Sequence, residues 1–181
     1  MSSRRFALQP FPEAGSAPSL KIEGEISRVS NRLAIRYELL GHLSEIMIPL
    51  PADLPARKNA LWEETCFEFF MAAKDSSPYW EFNLSPAGHW NVFRFAAYRE
   101  GMQEDMAFEA LSFDVQRHSS ALSLSLEIDP ERIIQPGQVL EIGISAVITC
   151  KSGETSYWAL AHLGQQADFH RRDSFVIKLQ R

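Results

Sequence analysis

The stretch YWEFNLSPAGHWNVFRF, residues 79–95, predicts a β-hairpin and decides the fold class. Side chains alternate between the two faces of a strand. One face of the first strand therefore carries Trp80, Phe82 and Leu84, while the other carries Glu81 and Asn83. A strand with an apolar face and a polar face is typical of an antiparallel sheet that covers a core.

The length of the loop sets how the two strands pair. A four-residue loop, 86–89, would place Phe82 opposite Phe93 and Glu81 opposite Arg94. Both faces would then hold compatible cross-strand pairs, aromatic with aromatic and acid with base. A slip of one residue would break both sets, because it transfers side chains to the other face. The sequence therefore predicts a partly buried Glu81–Arg94 ion pair on the floor of a pocket.

Short apolar segments separated by turn signals continue through most of the chain. Apolar and polar residues alternate strictly in residues 121–128, and no segment shows the period of a long amphipathic helix. About ten strands are predicted, which favours an all-β antiparallel sandwich or barrel. Residues 1–19 predict an irregular lead-in, and residues 20–181 predict one β domain.

Composition narrows the classes of function. The chain has 181 residues, a net charge of −5 and no basic block, so nucleic acid is not an expected partner. We see neither a run of about 20 apolar residues for a membrane helix nor a secretory signal, so we expect the cytoplasm and no membrane partner. Cys66 and Cys150 are expected to be free, buried thiols.

Common catalytic motifs are absent, but several polar residues could share one surface with the hairpin. Glu68 lies between Phe67 and Phe69, so it points away from those two rings. If its strand pairs beside the hairpin, Glu68 lies near Glu81 and Asn83. Aromatic and charged planar groups together are typical of polyol sites. The alternative is an ordinary solvated sheet face, on which an ion pair contributes little.

A second cluster lies in SYWALAHLGQQADFH, residues 156–170. With KSGE as the preceding turn, His162 would face Gly143 and Trp158 would face Val147. A glycine opposite His162 leaves room for a ligand or for another side chain. His162, Asp168 and His170 are candidate metal ligands. Their spacing matches no standard metal site, and a hydrogen-bonded structural histidine is the alternative.

Three blocks of the sequence carry a resemblance to a known family: LWEETCFEFF, YWEFNLSPAGHWNVFRFAAYREGM and SYWALAHLGQQADFHRRDSF. They resemble the DOMON-like bacterial proteins, relatives of the family 9 carbohydrate-binding modules, over most of the chain from about residue 20 to residue 179. The resemblance implies a jelly-roll β-sandwich whose relatives bind sugars or haem, and it implies no known reaction. Haem-binding relatives use a Met/His axial pair, and neither Met47, Met71 nor Met102 matches that role clearly.

We therefore expect a domain that binds a saccharide or a similar small polar ligand, without a cofactor or a reaction. Trp62, Trp90 and Tyr98 would stack on the ligand. The alternatives are haem or metal binding and glycoside hydrolysis by Glu68 and Glu81; the expected Arg94 partner argues against the hydrolase, because it would keep Glu81 ionised. The predicted ligand-binding residues are Trp62, Glu68, Glu81, Asn83, Trp90, Arg94, Tyr98, Arg99, Trp158 and His162.

Overall fold

The alternating segments form antiparallel strands in the structure, a computed structural model that describes residues 2–12 and 19–180. In these two ranges, four short 3₁₀ turns lie between strands, at Leu43–Glu45, Leu61–Glu63, Pro130–Arg132 and Arg172–Ser174. The strands are β1 Ser2–Pro10, β2 Leu20–Val29, β3 Arg32–Gly41, β4 Cys66–Ala73, β5 Tyr79–Leu84, β6 Trp90–Phe95, β7 Gln103–Glu104, β8 Phe113–Arg117, β9 Ala121–Ile128, β10 Leu140–Thr149, β11 Thr155–Ala159 and β12 Ile177–Leu179.

The strands form one curled antiparallel sheet whose halves pack on each other. Their order is β7-β6-β5-β4-β10-β11-β1-β2-β3-β9-β8, and β12 pairs with β10. Strand β1 joins the halves, since residues 2–8 pair with β2 while Gln9 and Pro10 pair with β11. The all-β antiparallel sandwich expected from the sequence is confirmed.

Strand β1 corrects the expected irregular lead-in at residues 2–10, while residues 1 and 13–18 of that expectation lie outside the described residues. Ser2–Pro10 is a regular strand in which Phe6 and Leu8 are buried. Their spacing of two residues is the alternation of a half-buried strand, but it covers too few positions to stand out beside the prolines that follow. The short strand β7 was also missed, because its two residues show no apolar pattern.

Strands β4 and β5 are buried on both faces. Their inner face contributes Phe67, Phe69 and Phe82 to the core between the two halves of the sheet. On their outer face, Phe70 and Tyr79 pack in a second cluster with Phe175, which belongs to the segment after β11. The outer face of this half of the sheet is therefore covered by chain, and polar residues on it are withdrawn from bulk water.

The hairpin of residues 79–95 has a register one residue away from the predicted one. Glu81 lies opposite Phe93, and Arg94 lies opposite Trp80. The loop contains three residues rather than four, because Gly88 adopts a φ of 95° and the N–H of Ser85 donates to the carbonyl of His89 at 2.9 Å. Arg94 therefore points to the face opposite Glu81, and the predicted Glu81–Arg94 pair was wrong.

The hairpin of β10 and β11 also has a register one residue away from the predicted one, again because its loop contains three residues with a left-handed glycine. Gly153 adopts a φ of 91°, the N–H of Cys150 donates to the carbonyl of Glu154, and Trp158 pairs with Ala146. Strand β11 ends at Ala159, before His162. The missing side chain of Gly143 makes room for Phe175, since a Cβ there would lie 2.8 Å from that ring.

Smaller local features agree with the sequence. Cys66 and Cys150 are free and buried, as expected. The side chain of Asp129 caps the turn Pro130–Arg132 by accepting the N–H of Glu131 at 2.9 Å. Within residues 2–12 and 19–180, no helix is sufficiently long and apolar to cross a bilayer.

Candidate functional site

A cavity of about 380 Å³ lies on the outer face of β4 and β5. Loops before β4 and after β6, strand β11 and the segment that follows it close its sides. Its lining combines aromatic, charged and apolar groups, namely Trp62, Phe95, Tyr157, Phe169, Glu68, Glu81, Arg99, His170, Met102, Val147 and Ala167. The enclosure and mixed lining resemble those of small-molecule sites.

A larger groove, of about 550 Å³, lies on the outer face of the other half of the sheet. Two of its charged residues, Arg36 and Glu127, already have partners on that face. Arg36 pairs with Glu38, and Glu127 pairs with Arg32, in each case between exposed side chains. Such pairs are ordinary surface features, so the smaller cavity over β4 and β5 is the candidate site.

The floor of the cavity carries two buried carboxyl groups, Glu68 from β4 and Glu81 from β5. Glu68 is 2% exposed and Glu81 is 5% exposed. They share the outer face because Glu68 pairs with Asn83, two residues along the strand from Glu81. Oε2 of Glu68 accepts the hydroxyl of Ser145 at 3.2 Å, and Oε1 of Glu81 accepts Nδ2 of Asn83 at 2.9 Å.

Burial changes the protonation of both carboxyl groups. Desolvation raises the pKa of Glu68 well above its usual value, the charge of Glu81 raises it further, and the Ser145 hydrogen bond opposes the shift. Desolvation likewise raises the pKa of Glu81 to about 7, against the hydrogen bond from Asn83 and the positive charge of Arg99. At neutral pH, the floor therefore retains protons that exposed carboxyl groups would have lost.

His170 lies beside these carboxyl groups, in a cage of aromatic rings. Its ring centre is 5.2 Å from that of Phe70 and 5.0 Å from that of Phe95. Desolvation and the charge of Arg99 lower the pKa of His170 to about 4, although Asp168 opposes the shift. The imidazole is consequently neutral at physiological pH, and its 3.8 Å approach to Glu81 is not an ion pair there.

Arg99 is held at the rim by Asp168. Its Nη2 donates to Oδ1 of Asp168 at 2.9 Å, and the hydroxyl of Tyr98 donates to Oδ2 of the same carboxylate. Burial alone would raise the pKa of Asp168, but the hydrogen bonds from Tyr98 and Arg99 lower it overall. The loop after β6 and the segment after β11 are thereby joined across one side of the cavity.

Two aromatic side chains of the lining remain accessible, Trp62 at 36% and Tyr157 at 41% exposure. The loop that carries Trp62 is held by Asn91, whose side-chain amide donates to the carbonyl of Lys58 at 3.1 Å and to the side chain of Asn59 at 2.9 Å. Trp62 itself packs edge-on against Phe93. Its indole is therefore positioned by the sheet while part of its surface is open.

The structure brings together four of the ten predicted ligand-binding residues as cavity lining: Trp62, Glu68, Glu81 and Arg99. Asn83 lies directly behind them and is buried, donating to Glu81. Tyr98 lies at the rim with its hydroxyl on Asp168. The expectation of a shared polar surface from Glu68, Glu81 and Asn83 agrees with this arrangement.

The remaining four predicted residues lie away from the cavity: Trp90, Arg94, Trp158 and His162. Trp90 and Trp158 belong to the core between the two halves of the sheet, and Arg94 shares the face of Trp90. His162 packs on Phe11, and its Nε2 lies 2.8 Å from the carbonyl oxygen of Gln9. The predicted positions of Trp158 and Arg94 were both wrong because the register of each hairpin was one residue away from the predicted one.

Sequence reasoning missed Tyr157, Phe95, Phe169 and Met102 as lining residues. Tyr157 was adjacent to the chosen Trp158, and the true register moves it to the cavity face. The glycine in the third position of each turn was the available signal, because three-residue hairpin loops place a glycine there. Phe169 lies in a segment without periodic pattern, so nothing in the sequence indicated its position.

The candidate metal ligands do not form a cluster. Across residues 2–12 and 19–180, no group of three or more His, Cys, Asp or Glu side chains is arranged to hold a metal ion. Asp168 and His170 adjoin the cavity, whereas His162 is engaged by Gln9 and Phe11. The metal alternative based on His162, Asp168 and His170 therefore loses its geometric support.

Haem is the cofactor that the resemblance implies, and its axial histidine needs a ring nitrogen directed at the iron. His170 and Met102 both line the cavity. The hydroxyl of Tyr79 lies 2.9 Å from Nδ1 of His170, and a carboxylate oxygen of Glu81 lies 3.8 Å from Nε2. Both nitrogens thus face protein groups, and these residues do not fit an axial haem ligand.

Solved structures with a similar fold include three carbohydrate-binding candidates or modules. A Bacteroides uniformis protein whose suggested role is carbohydrate binding aligns with a TM-score of 0.71 at 12% identity, covering 99% of this chain and 85% of its own. A family 9 carbohydrate-binding module from Caldicellulosiruptor kristjanssonii in complex with glucose has a TM-score of 0.54 at 8% identity, covering 96% and 83%. A family 9 module from the same organism in complex with cellotriose has a TM-score of 0.57 at 7% identity, covering 96% of this chain and 80% of its own.

At the level of sequence, no protein-family model and no curated protein matches the chain. Identities of 7–12% are too low to transfer a site from these structures. The structural similarity concerns the fold, which is that of a β-sandwich resembling carbohydrate-binding modules.

Proposed function

We propose that this protein binds a saccharide in the cavity above Glu68 and Glu81. The observation that carries the proposal is the combination, in one cavity, of two accessible aromatic side chains with buried polar groups. Trp62 and Tyr157 supply the aromatic surface, and Glu68 and Glu81 supply hydrogen-bond acceptors. A sugar ring needs both, because it has apolar C–H faces and a girdle of hydroxyl groups.

Each lining group has a distinct role in the proposal. Trp62 and Tyr157 pack against the C–H face of the sugar. Glu68 and Glu81 accept its hydroxyl groups, and Arg99 donates from the rim while its partner Asp168 holds it in place. Because these groups are held by strands and by the Asn91 and Asp168 hydrogen bonds, little ordering is required on binding, which favours affinity.

The comparisons support this choice of ligand class without assigning a sugar. Two of the similar structures contain glucose or cellotriose bound to a family 9 module. The DOMON-like resemblance of the three sequence blocks is consistent with the same class of ligand. Membership of the DOMON-like group remains part of the proposal.

Calorimetric titration with glucose and cellotriose, followed by a glycan array, tests the proposal. We expect binding to at least one saccharide, and we expect Trp62→Ala to weaken it by about tenfold or more through lost aromatic contact. Leu54→Ala is the matched control, since Leu54 is 83% exposed and lies outside the cavity lining. Absence of binding to every saccharide, with the protein folded, would contradict the proposal.

Glycoside hydrolysis is a second candidate, favoured by the same two carboxyl groups. The pKa of Glu81 is raised to about 7, which suits a general acid, and the expected Arg94 partner that argued against this role is absent from its face. Incubation with aryl glycosides tests it. Release of the aryl alcohol that disappears in Glu81→Gln would support hydrolysis, and no release above the buffer rate would remove it.

A further inference from the structure

The two carboxyl groups on the cavity floor have unused acceptor positions. Among the described residues, Glu68 has one side-chain hydrogen bond, from Ser145 to Oε2, and Oε1 accepts none. Oε2 of Glu81 likewise accepts no hydrogen bond from the described residues, since Nε2 of His170 lies 3.8 Å away, which is too long for one. Neither oxygen is among the buried side-chain atoms that lack a partner, and both belong to residues that line the cavity, so a ligand there can donate to them.

Among the described residues of the lining, no cation pairs directly with these groups. Arg99 is the arginine of the lining, and it is already paired with Asp168 at 2.9 Å. His170 is caged by Phe70 and Phe95 and is neutral at physiological pH, because burial lowers its pKa to about 4. An acidic floor below aromatic walls is therefore left without a positive partner of its own.

We infer that the ligand is an amino sugar, whose protonated amine lies against Glu68 and Glu81. This inference rests on the proposed saccharide function and specifies its ligand class. An ammonium group has three N–H donors and no acceptor, so it can satisfy Oε1 of Glu68 and Oε2 of Glu81 together. A neutral sugar would need two hydroxyl groups for the same two contacts and would bring no positive charge to the carboxyl groups.

The aromatic lining favours the same ligand. The faces of Trp and Tyr rings attract cations, and this attraction increases where water is excluded. Trp62 and Tyr157 are accessible in the lining, and Phe95 is buried within it. An ammonium-bearing sugar would meet carboxylates on the floor and ring faces on the walls. Its uncharged carbons would pack as those of any sugar do.

Binding of a cation should be linked to proton release. Other titratable or charged groups lie around the floor: Cys66 on β4, Tyr79 on β5, Arg99 after β6, and Asp168 and His170 after β11. Tyr37 on β3 approaches Glu68 from the core side and donates to its backbone carbonyl. Burial raises the pKa of Tyr37, Cys66 and Tyr79, which stay neutral. The exchangeable protons of the floor are therefore those of Glu68 and Glu81, and an ammonium group displaces one of them.

Matched sugars test the inference. D-Glucosamine, D-glucose and N-acetyl-D-glucosamine would be titrated calorimetrically into the wild-type protein at pH 7, with D-galactosamine and D-galactose as a second pair. We expect the free amine to bind at least about tenfold more tightly than its neutral counterparts in one pair. Titration in two buffers of different ionisation enthalpy should show proton release for the amine and not for the neutral sugar.

Variants connect the preference to the floor. In Glu81→Gln, and independently in Glu68→Gln, the ratio of amine to neutral affinity should fall to below about threefold. Glu127→Gln, an exposed glutamate on the other half of the sheet, should keep the ratio. Glutamine preserves the size of the side chain, and either variant alone suffices if the other does not fold.

The outcomes separate this inference from the function on which it rests. A tenfold amine preference that is lost in either floor variant supports it. Neutral sugars that bind as tightly as their amines overturn the amino-sugar inference and leave saccharide binding standing. Absence of binding to neutral and amino sugars alike overturns both.

Discussion

The hydroxyl of Tyr79 lies 2.9 Å from Nδ1 of His170 and accepts a hydrogen bond from the backbone N–H of Arg99 at 3.1 Å. We predict that this hydroxyl donates its proton to Nδ1, so that the neutral imidazole carries its own proton on Nε2. That nitrogen is directed towards Glu81, 3.8 Å away. Tyr79 would then determine which tautomer of His170 faces the cavity floor.

Tyr79→Phe removes the hydroxyl and leaves Nδ1 of His170 and the N–H of Arg99 without this partner. We expect the free energy of unfolding to fall by about 1–3 kcal/mol, because buried polar groups lose their hydrogen bond. Urea denaturation measures the loss, and ¹⁵N chemical shifts of His170 report the tautomer. Tyr157→Phe is the control, since no hydrogen bond of its hydroxyl occurs in the part of the chain that the structure describes. Equal losses in the two variants would contradict the assigned role.

Glu81 should make stability depend on pH. Its pKa is raised from 4.5 to about 7 in the folded protein, so the folded state binds more protons than the unfolded state between these values. The stabilisation by the bound proton is complete below pH 4.5 and is lost as the pH rises through 7. The contribution is up to about 3 kcal/mol.

Urea denaturation of the wild type and Glu81→Gln at pH 5, 6, 7 and 8 isolates this contribution. The stability of the wild type relative to the variant should decrease across the series. His170 makes stability rise with pH, because burial lowers its pKa to about 4. This contribution is present in both proteins and therefore cancels in the comparison. The control variant Glu127→Gln changes an exposed side chain and should not show this decrease. A difference independent of pH would mean that Glu81 is ionised normally.

Arg94→Met should have little effect on stability, because Arg94 lies on the face opposite Glu81. We expect a loss below about 1 kcal/mol and, in a double-mutant cycle with Glu81→Gln, a coupling energy below about 0.5 kcal/mol. The matched pair Arg99 and Asp168, which are in contact, should couple by about 0.2–1 kcal/mol as a partly exposed pair. A coupling above about 1 kcal/mol between positions 81 and 94 would restore the register expected from the sequence.

Gly153 should be required because its backbone is in the left-handed region, and not because a larger side chain would clash with its neighbours. Its φ is 91°, and no atom lies within 4 Å of the position where a Cβ would be. Gly153→Ala should therefore cost about 1–2 kcal/mol, the strain of a left-handed alanine. Gly153→Asn should cost less, because asparagine adopts this region more readily. Equal stability of the alanine variant and the wild type, measured by thermal unfolding, would show that the loop has another conformation.

Added haemin should not form a low-spin complex with the protein, because both nitrogens of His170 face protein groups. Absorption spectra of the mixture should show no shifted Soret band relative to haemin in buffer. His170→Ala serves as the control, since a band that appears in the wild type and disappears in this variant would identify His170 as a ligand.

Much of the fold could be predicted from local patterns. Alternation in residues 121–128 and in the hairpin identified strands, because a half-buried strand repeats every two residues. The same alternation correctly separated Glu68 and Glu81 from the core-facing phenylalanines on their strands. By contrast, β1 contained only Phe6 and Leu8 as a signal, too few to distinguish it from an irregular lead-in.

The candidate site was predicted only in part, and the register explains why. Residues on one strand keep their relative faces in any register, so Glu81 and Asn83 were placed together correctly. Partners across strands depend on the loop, and one left-handed glycine in each turn moved Arg94 and Trp158 away from the site and Tyr157 into it. The signal was present at Gly88 and Gly153, but its consequence lay several residues away.

The sequence by itself determined the all-β class and the polar face of Glu68, Glu81 and Asn83, because both follow from the alternation of residues close in the chain. Only the tertiary structure decided which aromatic side chains surround that face. Phe169 and His170 reach it because the segment after β11 folds back over β4 and β5 and is held by Asp168 and Tyr79. Tyr157 reaches it because the register of β10 and β11 places it opposite Val147. Such contacts join residues far apart in sequence, and no local period encodes them.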